Sequence, residues 1–348
     1  MNRNNLFLVV RERLRYMRHR WRNWYNNTFD HLHFSVWLLV RVLGHRKRVV
    51  VLRRLDALGD VVCTLPLCLA IKDIYPECFV AFVTSAYSGE IVQLGNVADG
   101  IFLSRTNYFR IKAHYGGLIR KIYNPLMPDE YSAGGSTLHL VDEFAKSCGI
   151  HLKSRQPCLY PSQELLQSVR LRFHLTSNEV GAKRVIGINC GPTWKVREWD
   201  FVKWQTLVDK IHRDYDAVLL HFGIHISGKV NEYDDLTGVL PLAGCLTKTE
   251  LVALIAICDL VISIDSGPIH IAGAVGTPVV GLFGAVDPAL RLPPSSPAVA
   301  ITSSVPCLFC HHKNPIGHWK TDCPNNIRCM RELTTDQVIQ AVRVMFAR

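Results

Sequence analysis

The sequence has no apolar run long enough to cross a membrane. The longest near its start, residues 34–43, is interrupted by Arg41 and falls well short of the ~20 residues a span requires. It has no basic stretch leading into a short apolar core and a small-residue cleavage site, so no secretory signal is expected. Nothing repeats beyond an alternation of strand-like and helix-like patterns. Basic strands interleaved with aromatics, and the reading-head motifs of nucleic-acid binding, are missing, so no nucleic-acid partner is expected. Acidic residues are scarce in the first 48 positions, where eleven Lys and Arg stand against Glu12 and Asp30. That segment holds a net +9 of the chain's +11, which leaves the rest nearly neutral. The basic character therefore belongs to an N-terminal extension and says little about the main body.

What is present reads as a folded enzyme-sized chain. Its 348 residues suffice for about two domains, and 48% hydrophobic with 20% charged residues is a globular composition. Of twelve cysteines, eight are scattered in apolar contexts, as free thiols are in a reducing cytosol. A cytoplasmic location is expected.

Residues 1–47 form the extension. Leu6, Val10, Leu14, Met17, Trp21 and Trp24 recur at spacings of three and four, which marks one helical face among arginines. Such a helix can lie on an anionic membrane surface, or it can pack on the body or another subunit. Asn26, Asn27 and Asp30 are expected to break it, with a second short helix over 31–43.

From residue 48 the chain alternates. Strands are expected at 48–52, 78–84 and 101–103, a helix opened by Gly59 and Asp60 and running to 74, and a helix at 138–148. Residues 105–137, rich in Tyr, Gly and Pro, read as loops and short helices. The two prolines of 155–162 suit a linker. Strands then fall at 185–189, 217–222, 239–243, 260–264 and 279–283, and helices at 200–215, 248–257 and 335–346. Alternating strands and helices build parallel sheets with right-handed crossovers. The expected fold is α/β: two Rossmann-like domains, 48–160 and 161–348, facing across a cleft at the C-terminal ends of their strands.

Three stretches carry chemistry. In LDALGDVVCTLP (55–66), Gly59 permits a tight turn, and Asp60 is either an N-cap carboxylate or a general base aimed across the cleft. In GPTWKVREW (191–199), Thr193, Lys195 and Arg197 could clamp a diphosphate, or form a solvated loop anchored by Trp199. In DLVISIDSGPIHIAGAVGTPVVGLFGAVDP (259–288), a buried strand breaks at Asp265-Ser266-Gly267. Ser266 can cap a helix that has Pro268 just inside its start, and His270 lies one turn on. A helix N-terminus after a parallel strand presents free N–H groups and a positive dipole end, which suits phosphate.

Together these stretches resemble bacterial glycosyltransferase family 9, the heptosyltransferases of lipopolysaccharide assembly. The family shows a GD-V-x-x-T-L-P helix start, a K/R-x-W stretch, and D-[ST]-G-x-x-H followed by G-T-P-x-x-x-L-F-G-x-x-x-P. Here the last reads Asp265-Ser266-Gly267-Pro268-Ile269-His270, then Gly276-Thr277-Pro278 and Leu282-Phe283-Gly284 through Pro288. The resemblance implies a GT-B-type fold and an ADP-heptose-like nucleotide-sugar donor held by the second domain. It implies inversion at the anomeric carbon, no cofactor for catalysis, and a lipid-linked saccharide as acceptor. By position, Asp60 is the general base. Thr193, Lys195, Arg197, Asp265, Ser266, Gly267 and His270 bind the donor, and Arg54 touches donor or acceptor phosphate. Arg197 stands where the family often has Lys, and its planar fork meets phosphate differently from a point charge. Alternatives are a protein acceptor, a non-transferase such as a nucleotide-sugar epimerase, or an inactive scaffold.

The last four cysteines, Cys307-x2-Cys310-x12-Cys323-x5-Cys329, have thiolate–metal spacing, with His311, His312 and His318 nearby. A structural zinc or iron would order a loop poor in apolar residues; reduced thiols or two disulfides are the alternative. A related branch, the heptosyltransferases that modify autotransporter proteins, has a similar iron-binding four-cysteine finger.

Overall fold

The computed structural model describes residues 3–55, 57–105, 109–111, 115, 117–129, 135–224, 231–313 and 323–347; in the first helix, side chains are described at 21, 22 and from 25 onward. Element α1 (Arg3–His45) is a single 43-residue helix, not two. The expected break fails because Asp30 has tertiary partners. Asp30 Oδ2 accepts hydrogen bonds from Ser104 Oγ at 2.8 Å and from the Arg105 amide at 2.9 Å. A carboxylate so engaged no longer competes for the backbone of its own helix. Phe34 and Leu38 are fully buried on the same side, in a cluster with Val49, Val51, Phe102 and Phe109. From Asp30 onward α1 therefore packs on the body. Leu6, Val10, Leu14, Met17 and Trp24 of the expected stripe lie outside the described side chains; Trp21 is exposed.

The first sheet is assembled from β1 (Val49–Arg53), α2 (Leu58–Ile74), β2 (Phe79–Ser85), α3 (Gly89–Gly95), β3 (Gly100–Ser104), β4 (Ile119–Tyr123) and α4 (Leu140–Cys148). Its strands are parallel in the order β3-β2-β1-β4. Strand β4 falls in the region expected to be loops. Its sequence, IRKIY, has an exposed charged centre, and pairing with β1 is what makes it a strand. The stretch 155–162 is held to both sides: Leu159 N–H donates to Ala274 O and Tyr160 N–H to Leu94 O, each at 2.9 Å.

The second sheet follows α5 (Gln163–Arg172) and α6 (Ser177–Val180). It comprises β5 (Arg184–Asn189), α7 (Phe201–Asp214), β6 (Ala217–Phe222), β7 (Leu240–Pro241), α8 (Lys248–Ile257), β8 (Leu260–Ile264), α9 (Gly267–Val275), β9 (Val279–Leu282) and β10 (Ala298–Ile301). Short helices α10 (Cys310–Lys313) and α11 (Arg328–Arg331) precede α12 (Thr335–Phe346). All six strands are parallel, ordered β10-β9-β8-β5-β6-β7. Every residue of β8 and β9 is buried, as the near-continuous apolar runs of a covered parallel sheet should be.

The two halves share one apolar junction. Helices α2 and α9 pack on each other, and Val61, Val62 and Leu65 belong to the same buried cluster as Ile269, Ile271 and Ala272. Each such Val, Leu or Ile side chain contributes about 1.5–3 kcal/mol by leaving water. Among the described residues, no helix is long and apolar enough to cross a membrane.

Candidate active site

In each sheet the strand order reverses about one strand. β1 lies between β2 and β4, and β5 between β8 and β6. At such a switch point the connections leave in opposite directions and open a crevice beyond the strand ends. The two crevices face one another across a cavity of about 570 Å³.

The first wall is the turn from β1 into α2. The left-handed residue there is Ala57, with φ of 58°, and α2 begins at Leu58. Gly59 is thus not the turn residue that its sequence position suggests. It is glycine because α9 comes so near: a Cβ at 59 would sit 2.6 Å from His270 Cδ2. Asp60 occupies the first turn of α2, where the N-cap position belongs to Ala57, and its carboxylate is 20% exposed at the cavity wall. Arg54 Nη2 pairs with Asp60 Oδ2. Arg54 is itself held by the Pro125 carbonyl, 2.9 Å from Nη1, and lies 4.8 Å over the Phe144 ring.

The second wall is the N-terminal end of α9. Ser266 is at the N-cap position and Pro268 just inside, as expected, but the Ser266 hydroxyl does not cap. It accepts from Asn189 Nδ2 at 2.6 Å and donates to Ile264 O. Asn189, which ends β5, also donates to Ser263 Oγ at 3.0 Å, so one buried amide ties β5 to β8 at the crevice. With the serine engaged elsewhere, the first amides of α9 have no side-chain cap from it, as an anion-binding helix end requires.

Arg197 Nε lies 3.1 Å from Asp265 Oδ2, its Nη1 donates to the Asp265 carbonyl, and its guanidinium sits 4.0 Å over Trp194. Asp265 is buried, and the pair sets Arg197 at the cavity edge. His270 is buried and borders the same space; burial pushes its pKa down to about 4, so the ring is neutral near pH 7. Thr193 lines the cavity, its amide held by Glu198 Oε1 at 3.0 Å.

The cavity thus brings together Arg54, Asp60, Thr193, Arg197, Asp265, Ser266, Gly267 and His270. Lys195 is not among its lining residues. It is 62% exposed and turned to Glu198 at 3.1 Å and Glu232 at 3.9 Å. Among the lining residues that the sequence did not mark as site candidates are Asn189, Arg291 and Lys248. Asn189 left a signal, a polar residue closing a buried apolar strand. Arg291, a buried cation from beyond β9, left none. Lys248, stacked 4.3 Å over Tyr87, reads in sequence only as the start of a helix.

The four late cysteines line a separate cavity of about 330 Å³. Burial, followed by the charges of the other three thiols, pushes Cys329 up to about 12. Gly284 is tight against this group: a Cβ there would lie 2.7 Å from Cys329 Sγ. All twelve cysteines are free, which removes the two-disulfide alternative. Among the described residues, no set of three His, Cys, Asp or Glu side chains is drawn together closely enough to hold a metal ion. The residue types suit a thiolate site, and the fold gathers them around one space without closing them on it. His318 lies outside the described residues.

Two parallel sheets facing at their switch points make this a GT-B-type α/β fold. Residues 140–319 match the model of glycosyltransferase family 9 (heptosyltransferase), and the chain belongs to that family. The matched span takes in the second wall of the cleft, while Arg54 and Asp60 precede it. A stretch of 94 residues is 38% identical to lipopolysaccharide heptosyltransferase 3 of Escherichia coli, covering 26% of this chain and 28% of that relative's length. In structure, the chain is similar to the E. coli ADP-heptose LPS heptosyltransferase II, with a TM-score of 0.59 at 15% identity over 86% of this chain and 98% of the other. It is also similar to TibC, a dodecameric iron-containing heptosyltransferase solved with ADP-D-beta-D-heptose (TM-score 0.63, 15% identity, 86% and 77% covered). At these identities the structural likeness concerns the fold.

Proposed function

We propose that the protein transfers a heptose from an ADP-heptose-like nucleotide sugar to a hydroxyl of a lipopolysaccharide-type saccharide, with inversion and without a catalytic cofactor. The observation that carries this reading is the two-sided cleft: a carboxylate, Asp60, on one wall, and an anion-ready helix end with Arg197 on the other. Residues 48–160 take the acceptor and 161–348 the donor. Asp60 removes the acceptor proton as the oxygen attacks the anomeric carbon. The bond to the diphosphate breaks on the opposite side, and the charge left on the nucleotide is met by the α9 amides and Arg197. Thr193, Ser266, Gly267 and His270 shape the donor side, and Arg54 holds Asp60 in place. The family membership and the ADP-heptose named with TibC support the donor assignment.

Replacing Asp60 by Asn tests the assignment. Transfer should fall by about 10²–10⁴-fold while ADP still raises the melting temperature. Undiminished transfer would remove Asp60 from its role. No stabilisation by any ADP-, UDP- or GDP-sugar would instead favour the inactive-scaffold reading.

Two features complete the proposal. The four thiols hold a structural zinc or iron, a reading supported by their shared cavity and by the iron named with TibC; elemental analysis of protein purified without added metal should find one ion per chain. The extension places the enzyme at an anionic membrane surface, where a lipid-linked acceptor would lie. Tyr25, Leu32, Val36, Leu39, Val40 and Leu43 support this, forming an exposed apolar stripe on the side of α1 turned away from the body. The Arg-rich start of α1 and Arg46, Lys47 and Arg48 flank that stripe. Deleting 1–47 should abolish binding to vesicles containing anionic lipid.

A further inference from the structure

A polar contact between α2 and α9 joins the two walls, and the chemistry above does not use it. Cys63 lies one turn beyond Asp60 in α2 and is buried; its Sγ is 3.4 Å from Nδ1 of His270 in α9. Burial, and next the Asp60 charge, push the Cys63 thiol well above its ordinary range, so it keeps its proton. His270 is neutral, which means that one ring nitrogen carries hydrogen and the other accepts. The hydrogen between sulfur and Nδ1 can belong to either atom. An imidazole nitrogen is a far better acceptor than a sulfur, so the arrangement with S–H donating to Nδ1 is favoured. Cys258, just past the end of α8, shows the local alternative open to a thiol, donating to the Leu254 carbonyl at 3.1 Å. The Cys63 contact runs across the junction instead.

With Nδ1 accepting, the ring proton sits on Nε2. That edge of His270 faces the start of α2: a Cβ on Gly59 would be 2.6 Å from Cδ2 and 3.4 Å from Nε2. Gly59, Asp60, Ser266 and Gly267 all border the cavity there. We propose that Cys63 is a positioning residue, whose thiol holds His270 as the Nε2–H tautomer and so turns it into an uncharged hydrogen-bond donor toward an oxygen of the bound nucleotide sugar. A neutral donor suits a site where Arg54, Arg197 and Arg291 already supply positive charge. The contact also registers α2 against α9, so the donor side senses the helix that holds the base. The identity of the ligand rests on the function proposed above; the tautomer does not.

The test is a two-bond ¹H–¹⁵N histidine spectrum of the full-length protein near pH 7, with and without ADP, for the wild type, Cys63→Ala and Cys63→Ser. The wild type should show the Nε2–H pattern for His270. Cys63→Ala should show exchange between tautomers, and Cys63→Ser should restore the single form. In transfer assays Cys63→Ala should raise the donor KM about three- to tenfold, the worth of one hydrogen bond, with a smaller change in kcat, and Cys63→Ser should recover it. An Nδ1–H pattern in the wild type overturns the proposal even if neither variant folds. So does a Cys63→Ala spectrum and KM matching the wild type. If no nucleotide binds at all while the Nε2–H pattern stands, the functional reading fails and the tautomer assignment survives.

Discussion

At Gly59 the absence of a side chain matters more than backbone freedom. Its φ is not in the left-handed region; what it provides is the approach of α2 to α9, with His270 Cδ2 2.6 Å from where a Cβ would be. Because His270 is enclosed, it cannot swing aside, and Gly59→Ala should push the two helix starts apart. We expect a loss of about 1–3 kcal/mol, as for overpacking a filled core, together with a higher donor KM. Urea denaturation and donor titration check this, and a variant with wild-type values for both would show that the junction is looser than its geometry. Ser266 is the converse case. Its place before Gly267 and Pro268 marks it as an N-cap, yet its hydroxyl serves Asn189 and Ile264.

Among elements, α1 departs most from its sequence pattern. Its docked half is held by Asp30, Phe34 and Leu38, and its outer half carries the apolar stripe from Tyr25 to Leu43, where Leu43 is 74% exposed. The two faces can be separated by mutation. Phe34→Ala should cost about 3–5 kcal/mol of the local packing and make the segment near residues 25–45 a site of early limited proteolysis. Replacing Leu32, Val36, Leu39 and Leu43 by Asn should leave the proteolysis pattern as it is but weaken binding to anionic vesicles. If that quadruple variant instead changed the mass of the particle in solution with vesicle binding intact, the stripe would be a contact between copies of this chain.

For the whole molecule, acid should be the condition that separates the halves. His270 at the junction is driven to about 4 by burial, and burial also lowers His139 and His221. His139 Nε2 lies 2.9 Å from the Leu292 carbonyl, a contact between α4 and the segment after β9. In the unfolded chain these rings take up protons from about pH 6.5 downward, while the folded chain refuses them until lower pH. The unfolded state thus binds more protons in that window, so stability is full above about pH 6.5 and falls as the pH drops toward 4. His270 alone should account for a loss on the order of 3 kcal/mol across that span. Denaturation midpoints measured from pH 7 down to 4.5 should decline steadily, and a flat profile over that range is the contrary result.

Much of this molecule was determined by local sequence. The apolar runs at 217–222 and 260–264 and the capped helices at 248–257 and 335–346 read correctly to the residue, because burial pattern and capping are local properties. The turns around Asp60 and Asp265–His270 were legible as strand-turn-helix punctuation, but that both stand at switch points and border one cavity follows from the strand order of the two sheets. Tertiary structure alone decided the rest. Strand β4 exists through its partner β1, and Asp30 continues a helix because Ser104 and Arg105 receive it. Lys195 turns to Glu198 and Glu232 and away from the cleft, and Arg291 enters the cleft from beyond β9. For β4 and Asp30 the deciding partner lies in a distant segment, and Lys195 adds the distant Glu232 to its near neighbour Glu198; such a charge or strand edge settles where folding supplies the partner. Sequence spacing does not encode such pairings.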